Sequence, residues 1–357
     1  VIQNIHLHHI RPYIHAQATF EPGINILFGP NGAGKTTILE SICVLASTKS
    51  YRAPRLFDLV TYQHPIGSIQ GDTTDADTLK VEILQRKHLF IKNGTRATRT
   101  SQYLHPTKIV VLAPEHQFLI SGPSEKRRTF LDHLLCQKNP LLLDKFKHYR
   151  KTIKQKQALL KQNLPLSEYR DYVQPWNQII VECGSEIRKA RHDLLKKLEP
   201  FVQEEYLSIA HTKDRVEMRY IQHEEDMVEK LKEYEIVEYK NKRALVGPHR
   251  DDFEIMINHQ HARDIASQGE RASLLLSLKF AEMDDLSQDS VPTLLLDDVG
   301  VTLDESRRSH LFDRIKKLQP QTIITTPDLS IVRSSESIGA KILTQEMGDS
   351  KAHIFWK

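Results

Sequence analysis

The segment GPNGAGKTT near the start of the chain, completed much later by SQGE and LLLDD, most constrains how this sequence can fold. Gly29, Gly34, Lys35 and Thr36 match G-x-x-x-x-G-K-[ST]. They follow the apolar run Ile24, Ile26, Leu27, Phe28 and precede the helix-like TILESICVLA. Strand, glycine-rich loop and helix, in that order, are the context the motif needs. Glycines let the backbone turn tightly enough for its N–H groups to wrap phosphates, and the positive end of the next helix adds to the field. Gly29, Pro30, Asn31, Gly32, Ala33, Gly34, Lys35, Thr36 and Thr37 are therefore the expected ATP contacts. Lys35 is expected to reach the β and γ phosphates as a point charge, and the Thr36 hydroxyl to hold Mg²⁺.

The second half of the site is a strand and a helix start. Thr293 to Leu296 form a continuous apolar run ending in Asp297 and Asp298, as a central parallel strand does when it delivers carboxylates to the sheet's C-terminal edge. There Asp297 joins Thr36 as the metal-binding pair, and Asp298 polarises the attacking water, which makes Lys35 and Asp298 the catalytic candidates. Ser267, Gln268, Gly269 and Glu270 precede the stripe Leu274, Leu275, Leu278. Ser267 fits a helix N-cap, and it equally fits a hydroxyl that binds a γ-phosphate beside the helix amides. A position about 30 residues ahead of LLLDD favours the phosphate reading for Ser267 and Gly269.

Composition sets the outer limits. With 357 residues, 39% of them hydrophobic, the chain can bury a full core and divide into two lobes. No stretch approaches the ~18 consecutive apolar residues of a membrane span, and VIQNIHLHHIRPY lacks the layout of a secretory signal. Cys43, Cys136 and Cys183 lie far apart without CxxC spacing, which indicates neither a disulfide framework nor a zinc site and points to a cytoplasmic protein. The net charge of +4 permits a nucleic-acid partner without requiring one. Histidines are numerous but scattered, and pairs such as His8 with His9 lack a third ligand at metal spacing.

Periodicity divides the chain into three. Residues 1–113 read as the strand-rich, N-terminal part of an ATPase lobe, with VEILQRKHLFIKNG as two strands closing at Asn93-Gly94. Residues 114–240 read as a helical insertion. One stripe runs through Phe130, Leu134, Leu142, Phe146, Tyr149 and Ile153; a break follows at LPLSEYRDYVQP, and a second stripe runs from Trp176 to Leu198, ending at Pro200. Residues 241–357 read as the returning part of the ATPase lobe, with strands at DDFEIMIN, TLLLDD and TIITT. The fold class is thus α/β, a P-loop lobe interrupted by a mainly helical one.

At this point the sequence resembles the RecF family, the short members of the SMC-like branch of ATP-binding-cassette ATPases. The likeness covers nearly the whole chain. It rests on NGAGKTTILESICVLASTKSYR, PEHQFLISGPSEKRRTFLDHLL, GPHRDDFEI, ASQGERASLLLSLKFAE and LLLDDVGVTLDESRR, of which GPHRDD is the most family-specific. The resemblance implies an SMC-like head and a homodimer formed on ATP. Each nucleotide then lies between Lys35, Thr36 and Asp297 of one subunit and Ser267 and Gly269 of the other, with Asp304 at the interface. It also implies action with RecO and RecR at gapped, single-stranded and duplex-junction DNA in recombinational repair, aiding RecA loading through slow, DNA-stimulated ATP hydrolysis. Arg11 matches a family arginine near the nucleotide. Three positions depart from the pattern: Ala272 stands where the family commonly has arginine, Thr326 is nearest to a switch-histidine position, and the Q-loop falls among Glu115 and Gln117.

Lys126, Arg127, Arg128, Lys151 and Lys154 are the candidate DNA contacts, within a basic stretch that also holds Lys145, Lys147, Arg150 and Lys156. Such runs are usually solvated faces, and any contacts they make to phosphates are sequence-independent and salt-sensitive. In GPHRDD, Arg250 paired with Asp251 or Asp252 at a turn is the alternative to a DNA or nucleotide contact. The nucleotide subunit of a membrane transporter is the competing function. It requires a coupling Q-loop, a switch histidine and a helical subdomain of ~40 residues. A P-loop kinase, the third reading, needs no SQGE ahead of LLLDD.

Overall fold

The segments Ile24–Phe28, Thr293–Asp297 and Thr322–Thr326 lie side by side as parallel strands in the computed structural model. The structure describes residues 1–104, 107–223, 225–298, 303–328, 341–345 and 352–356, the last two segments as backbone only. Chain contacts divide it into two units, one of residues 1–116 and 278–357 and the other of residues 117–277.

The first unit holds a mixed sheet. Its antiparallel part contains β1 (Ile2–Ile10), β2 (Tyr13–Thr19), β4 (Ile66–Thr73), β5 (Thr78–Leu84), β6 (His88–Lys92) and β7 (Thr95–Arg96). Its parallel part contains β3 (Ile24–Phe28), β8 (Ile109–Leu112), β12 (Thr293–Asp297), β13 (Thr322–Thr326) and β14 (Lys341–Gln345). β15 (Ala352–Trp356) pairs antiparallel with β14 and parallel with β2, joining the two parts. All four residues of β8 and all five of β12 and β13 are buried, which explains why none of them alternates between apolar and charged residues. Helix α1 (Lys35–Ser47) contacts strands of both parts and is buried along nearly its whole length, so it presents no solvent-exposed face. Asn93-Gly94 closes β6 onto β7, both residues at positive φ, whereas β5 and β6 turn at residues 85–87. The expected hairpin therefore has one strand more than the sequence suggests.

The inserted unit is built on the helices Ser124–Lys138, Pro140–Leu160 and Leu166–Ala210, and on a three-stranded antiparallel sheet ordered β11–β10–β9. These strands are Gln260–His261 (β11), Asp252–Ile257 (β10) and Val216–Ile221 (β9). Residues 241–277 group with the insertion because β10 pairs with β9 over six positions; the sequence reading places that segment with the ATPase lobe. The helix Gln268–Ser287 carries the chain back to the first unit.

The 45-residue helix runs through Pro175 and Pro200, where the sequence suggests a break and an end. Each proline removes one i→i−4 bond. Both prolines are exposed, as are Asp171 and Lys196, whose carbonyls lose the donor, so water can satisfy those groups.

GPHRDD is a node of this unit. Asp251, fully buried, accepts from Arg188 Nε and Nη2 at 2.8 and 2.9 Å, from Tyr220 Oη at 2.9 Å and from the His223 amide at 3.1 Å. Asp252 takes a bidentate pair from Arg127 at 2.8 Å each, and Arg191 donates to Pro248 O at 2.7 Å. The two carboxylates thus go to Arg127 and Arg188, while Arg250 is exposed. The expected pairing within the motif gives way to bonds that tie distant helices to β10.

His249 lies in the same segment, its Nδ1 2.7 Å from Tyr149 Oη and its Nε2 3.3 Å from Ala244 O. Burial first, with Arg250, Arg128 and Lys156 adding, pushes its pKa down to about 4. The unfolded chain, titrating near 6.5, binds more protons than the folded one between those values, so stability falls as pH falls through that window. His249 alone is expected to lower unfolding stability by about 2 kcal/mol between pH 7 and pH 5. Urea unfolding of the chain and of His249→Gln at both pH values measures this; identical pH dependence in the two would refute it.

Candidate nucleotide site

Parallel register brings the C-terminal ends of β3, β12 and β13 into line. Asp297 sits opposite Thr325, and Thr325 opposite Leu27, just ahead of the glycine-rich loop. This is the sheet edge at which ligands bind in open α/β folds.

In the loop, Gly32 and Gly34 have φ of 84° and 92°, a region that side chains rarely adopt. A Cβ on Gly34 would stand 2.5 Å from Tyr13 Oη, and that hydroxyl donates to Ala33 O at 3.2 Å. Tyr13 thus props the loop from below, while Pro30, Asn31 and Gly32 form its exposed crest. Lys35 Nζ donates to Gly29 O at 2.7 Å and Pro30 O at 2.8 Å, which draws the loop around the ammonium. Burial lowers the Lys35 pKa, and Asp298 and Asp297 oppose that shift. Gly29, Ala33 and Thr37 are buried beneath this arrangement.

Thr36 Oγ1 donates to Asp297 Oδ1 at 2.9 Å, so the two expected metal-binding residues are in contact. Thr325 Oγ1 donates to the same oxygen at 2.6 Å, and Tyr51 Oη to Asp297 Oδ2 at 2.9 Å. Hydroxyl and carboxylate oxygens are hard donors that suit Mg²⁺. Among the described residues no group of three or more His, Cys, Asp or Glu side chains could hold a metal by itself. A cation here would complete its shell with water and phosphate oxygens, as Mg²⁺ prefers. The residues present fit the group.

Asp298 stands at φ 50°, its N–H bonded to Thr325 O at 3.2 Å and Thr325 Oγ1 at 3.0 Å. Burial, then the neighbouring Asp297 charge, raises its pKa, with Lys35 opposing. A carboxylate made more basic and fixed by its own backbone suits proton abstraction from water. One hydroxyl, Thr325, thereby touches the Asp297 carboxylate and the Asp298 amide, whereas Thr326 Oγ1 accepts from the Asp328 amide at 3.0 Å.

Residues beside the loop are held just as firmly. Arg11, at φ 47°, pairs with buried Glu40 at 2.6 Å, and Glu40 also accepts from the Ala53 amide at 3.0 Å and from Ser50 Oγ. Arg52 reaches Glu115 at 3.2 Å, which places one of the two expected Q-loop residues. Asp304 caps the helix Glu305–Leu318 through the Arg307 amide at 3.0 Å.

In the inserted unit, Ser267 and Glu270 form a reciprocal cap: the Ser267 amide donates to Glu270 Oε2 at 2.8 Å and the Glu270 amide to Ser267 Oγ at 3.2 Å. Ser267 is exposed, Gly269 half-buried and Ala272 buried. Of the five expected DNA contacts, Lys126, Lys151 and Lys154 face solvent. Arg127 is buried on Asp252 and Gly122 O, and Arg128, half-buried, donates to Asp251 O at 2.6 Å and Ser124 Oγ at 2.8 Å. Both are spent on internal carboxylate and carbonyl groups, so neither is presented as a free cation. Lys156, read as part of the basic stretch, is buried against Glu238 at 2.6 Å.

Tyr13, Tyr51 and Thr325 escape the sequence reading. A threonine at the end of TIIT, or a tyrosine close behind α1, carries no spacing signal of its own.

The RecF/RecN/SMC N terminal domain family matches residues 1–350. The chain is 34% identical over 350 residues to the DNA replication and repair protein RecF of Streptococcus gordonii, covering 93% of this chain and 95% of that one. It is also 34% identical over 361 residues to RecF of Desulfitobacterium hafniense, covering 97% and 99%. The solved structure of the recombination mediator protein RecF-ATPrS in the RecFOR pathway superimposes with a TM-score of 0.85 at 24% identity, covering 99% of this chain and 98% of that chain. The Smc head bound to the C-winged helix domain of ScpA gives 0.57 at 16% identity over 100% and 97%, a likeness of fold alone. With an SMC-like head, the phosphate loop and both acidic residues in place, this chain belongs to the RecF family.

Proposed function

We propose that this chain is an ATP-dependent DNA-binding protein of recombinational repair, which dimerises on ATP at gapped or single-strand/duplex junction DNA and aids RecA loading with RecO and RecR. The observation that carries the reading is the convergence of Lys35, Thr36, Asp297 and Asp298 at one sheet edge. The named relatives are DNA replication and repair proteins, and a RecF-ATP structure of the RecFOR pathway has 25% identity and a TM-score of 0.82.

In this reading the loop amides and Lys35 bind the phosphates, and Thr36 with Asp297 holds Mg²⁺. The metal supplies charge neutralisation on the phosphate oxygens. Asp298 orients the attacking water and accepts its proton. Ser267 and Gly269 of a second copy close over the nucleotide, which makes the exposed cap a contact that only a dimer uses. Lys126, Lys151 and Lys154 follow DNA phosphates without reading sequence. Among the described residues no helix is long and apolar enough to cross a membrane.

Sedimentation with Mg²⁺ and ATP, with and without gapped DNA, tests the proposal. The expected result is a monomer without ATP and a dimer with it, further favoured by DNA. Ser267→Arg is expected to keep nucleotide affinity within about threefold while abolishing the ATP-dependent dimer, since the lost cap costs only ~1 kcal/mol. A Ser267→Arg chain that still dimerises with ATP reduces that residue to a helix cap.

A further inference from the structure

Asp297 carries three hydroxyl contacts among the described residues, and they are unevenly placed. Thr36 and Thr325 both donate to Oδ1, at 2.9 and 2.6 Å, while Tyr51 donates to Oδ2 at 2.9 Å. Two donors on one oxygen leave the carboxylate plane free to turn, because the terminal torsion of aspartate is broad. A donor on the second oxygen fixes that plane.

The chain around Tyr51 is built to keep the phenol in place. Thr48 ends α1 at φ 63° with its amide on Val44 O, and the next residues are tied down at both sides of Tyr51. The Lys49 carbonyl accepts from Ser47 Oγ at 3.2 Å, Ser50 Oγ donates to buried Glu40, and the Ala53 amide donates to Glu40 at 3.0 Å. Arg52 turns the other way, to Glu115.

We propose that Tyr51 is a positioning residue for the divalent cation, acting by locking the Asp297 carboxylate in the orientation that accepts the metal beside Thr36. This rests on the nucleotide and Mg²⁺ reading of the site. Groups that orient a metal ligand from behind typically change metal affinity by 10- to 100-fold when removed.

The test is the binding of a fluorescent ADP analogue to the full chain in EDTA and at stepped Mg²⁺, for the unsubstituted protein, Tyr51→Phe and Tyr51→Leu, each first checked for folding by circular dichroism. The half-saturating Mg²⁺ concentration is expected to rise about tenfold in both variants, with metal-free nucleotide affinity within about twofold of the unsubstituted protein. Equal shifts in Phe and Leu assign the effect to the hydroxyl. Unchanged Mg²⁺ dependence beside normal ADP binding overturns the role of Tyr51 alone, and so does a matching loss of metal-free affinity, which marks a structural residue. Absence of ADP binding in the unsubstituted protein overturns the nucleotide reading itself and this proposal with it.

Discussion

Lys35→Ala is expected to weaken ATP and ADP binding by about 30- to 4,000-fold. Removing one partner of a buried, hydrogen-bonded charge contact costs roughly 2–5 kcal/mol, and each 1.4 kcal/mol is about tenfold in affinity. The loop adds a second loss. Nζ is bound by Gly29 O and Pro30 O, so alanine removes the phosphate's cation and also the donor of two loop carbonyls. Lys35→Arg does not rescue the site, because a planar fork cannot fill the place of a compact ammonium beneath the glycine turn. Calorimetry with Mg²⁺ and ADP makes the measurement. An affinity within threefold of the unsubstituted chain is incompatible with the assigned site.

How much of this site the sequence discloses follows from the range of each contact. The phosphate loop is local: strand, glycines, lysine and helix lie within one stretch, and all take the expected places. Asp297 is legible because a buried parallel strand ending in carboxylates has its own pattern. Tyr51 is not, since its partner lies 246 positions away and nothing near it announces the contact. Thr325 and Thr326 show a different limit. Neighbouring strand residues point to opposite faces, so register alone decides which threonine meets Asp297.

The basic stretch misleads for a related reason. Lysine and arginine look alike in sequence whether they face water or a carboxylate brought in by folding, and Asp132, Glu238, Asp251 and Asp252 arrive from outside the helices they pair with or from distant turns. GPHRDD owes its form to that internal pairing. Buried ion pairs roughly break even against apolar packing, yet losing one partner strands the other charge. The two aspartates of the motif are therefore demanding in residue type through their internal bonds alone. The two prolines of the long helix complete the pattern: a breaker in sequence becomes tolerable wherever the freed carbonyl faces solvent.

Asp298→Asn is expected to preserve ATP binding and dimerisation while lowering hydrolysis by about 10²–10⁴-fold, the usual contribution of a general base. The structure makes this substitution unusually clean. Asp298 is anchored through its own N–H to Thr325, not through its side chain alone, and its φ of 50° is one that asparagine tolerates as well as aspartate. Asn keeps shape and backbone while removing the carboxylate that burial and Asp297 make more basic. Asp297 stays on Thr36, Thr325 and Tyr51, so the proposed metal-binding pair is untouched. An aspartate also reaches about one methylene less far than a glutamate would, so turnover in the unsubstituted chain is expected to be slow already. With the water no longer activated, the ATP dimer should persist and leave DNA more slowly. Dimer lifetime and DNA dissociation are to be compared at one fixed ionic strength, because phosphate contacts make affinity depend steeply on salt. Hydrolysis at the unsubstituted rate would remove Asp298 from catalysis, and loss of the ATP dimer would make it a structural residue at the sheet edge.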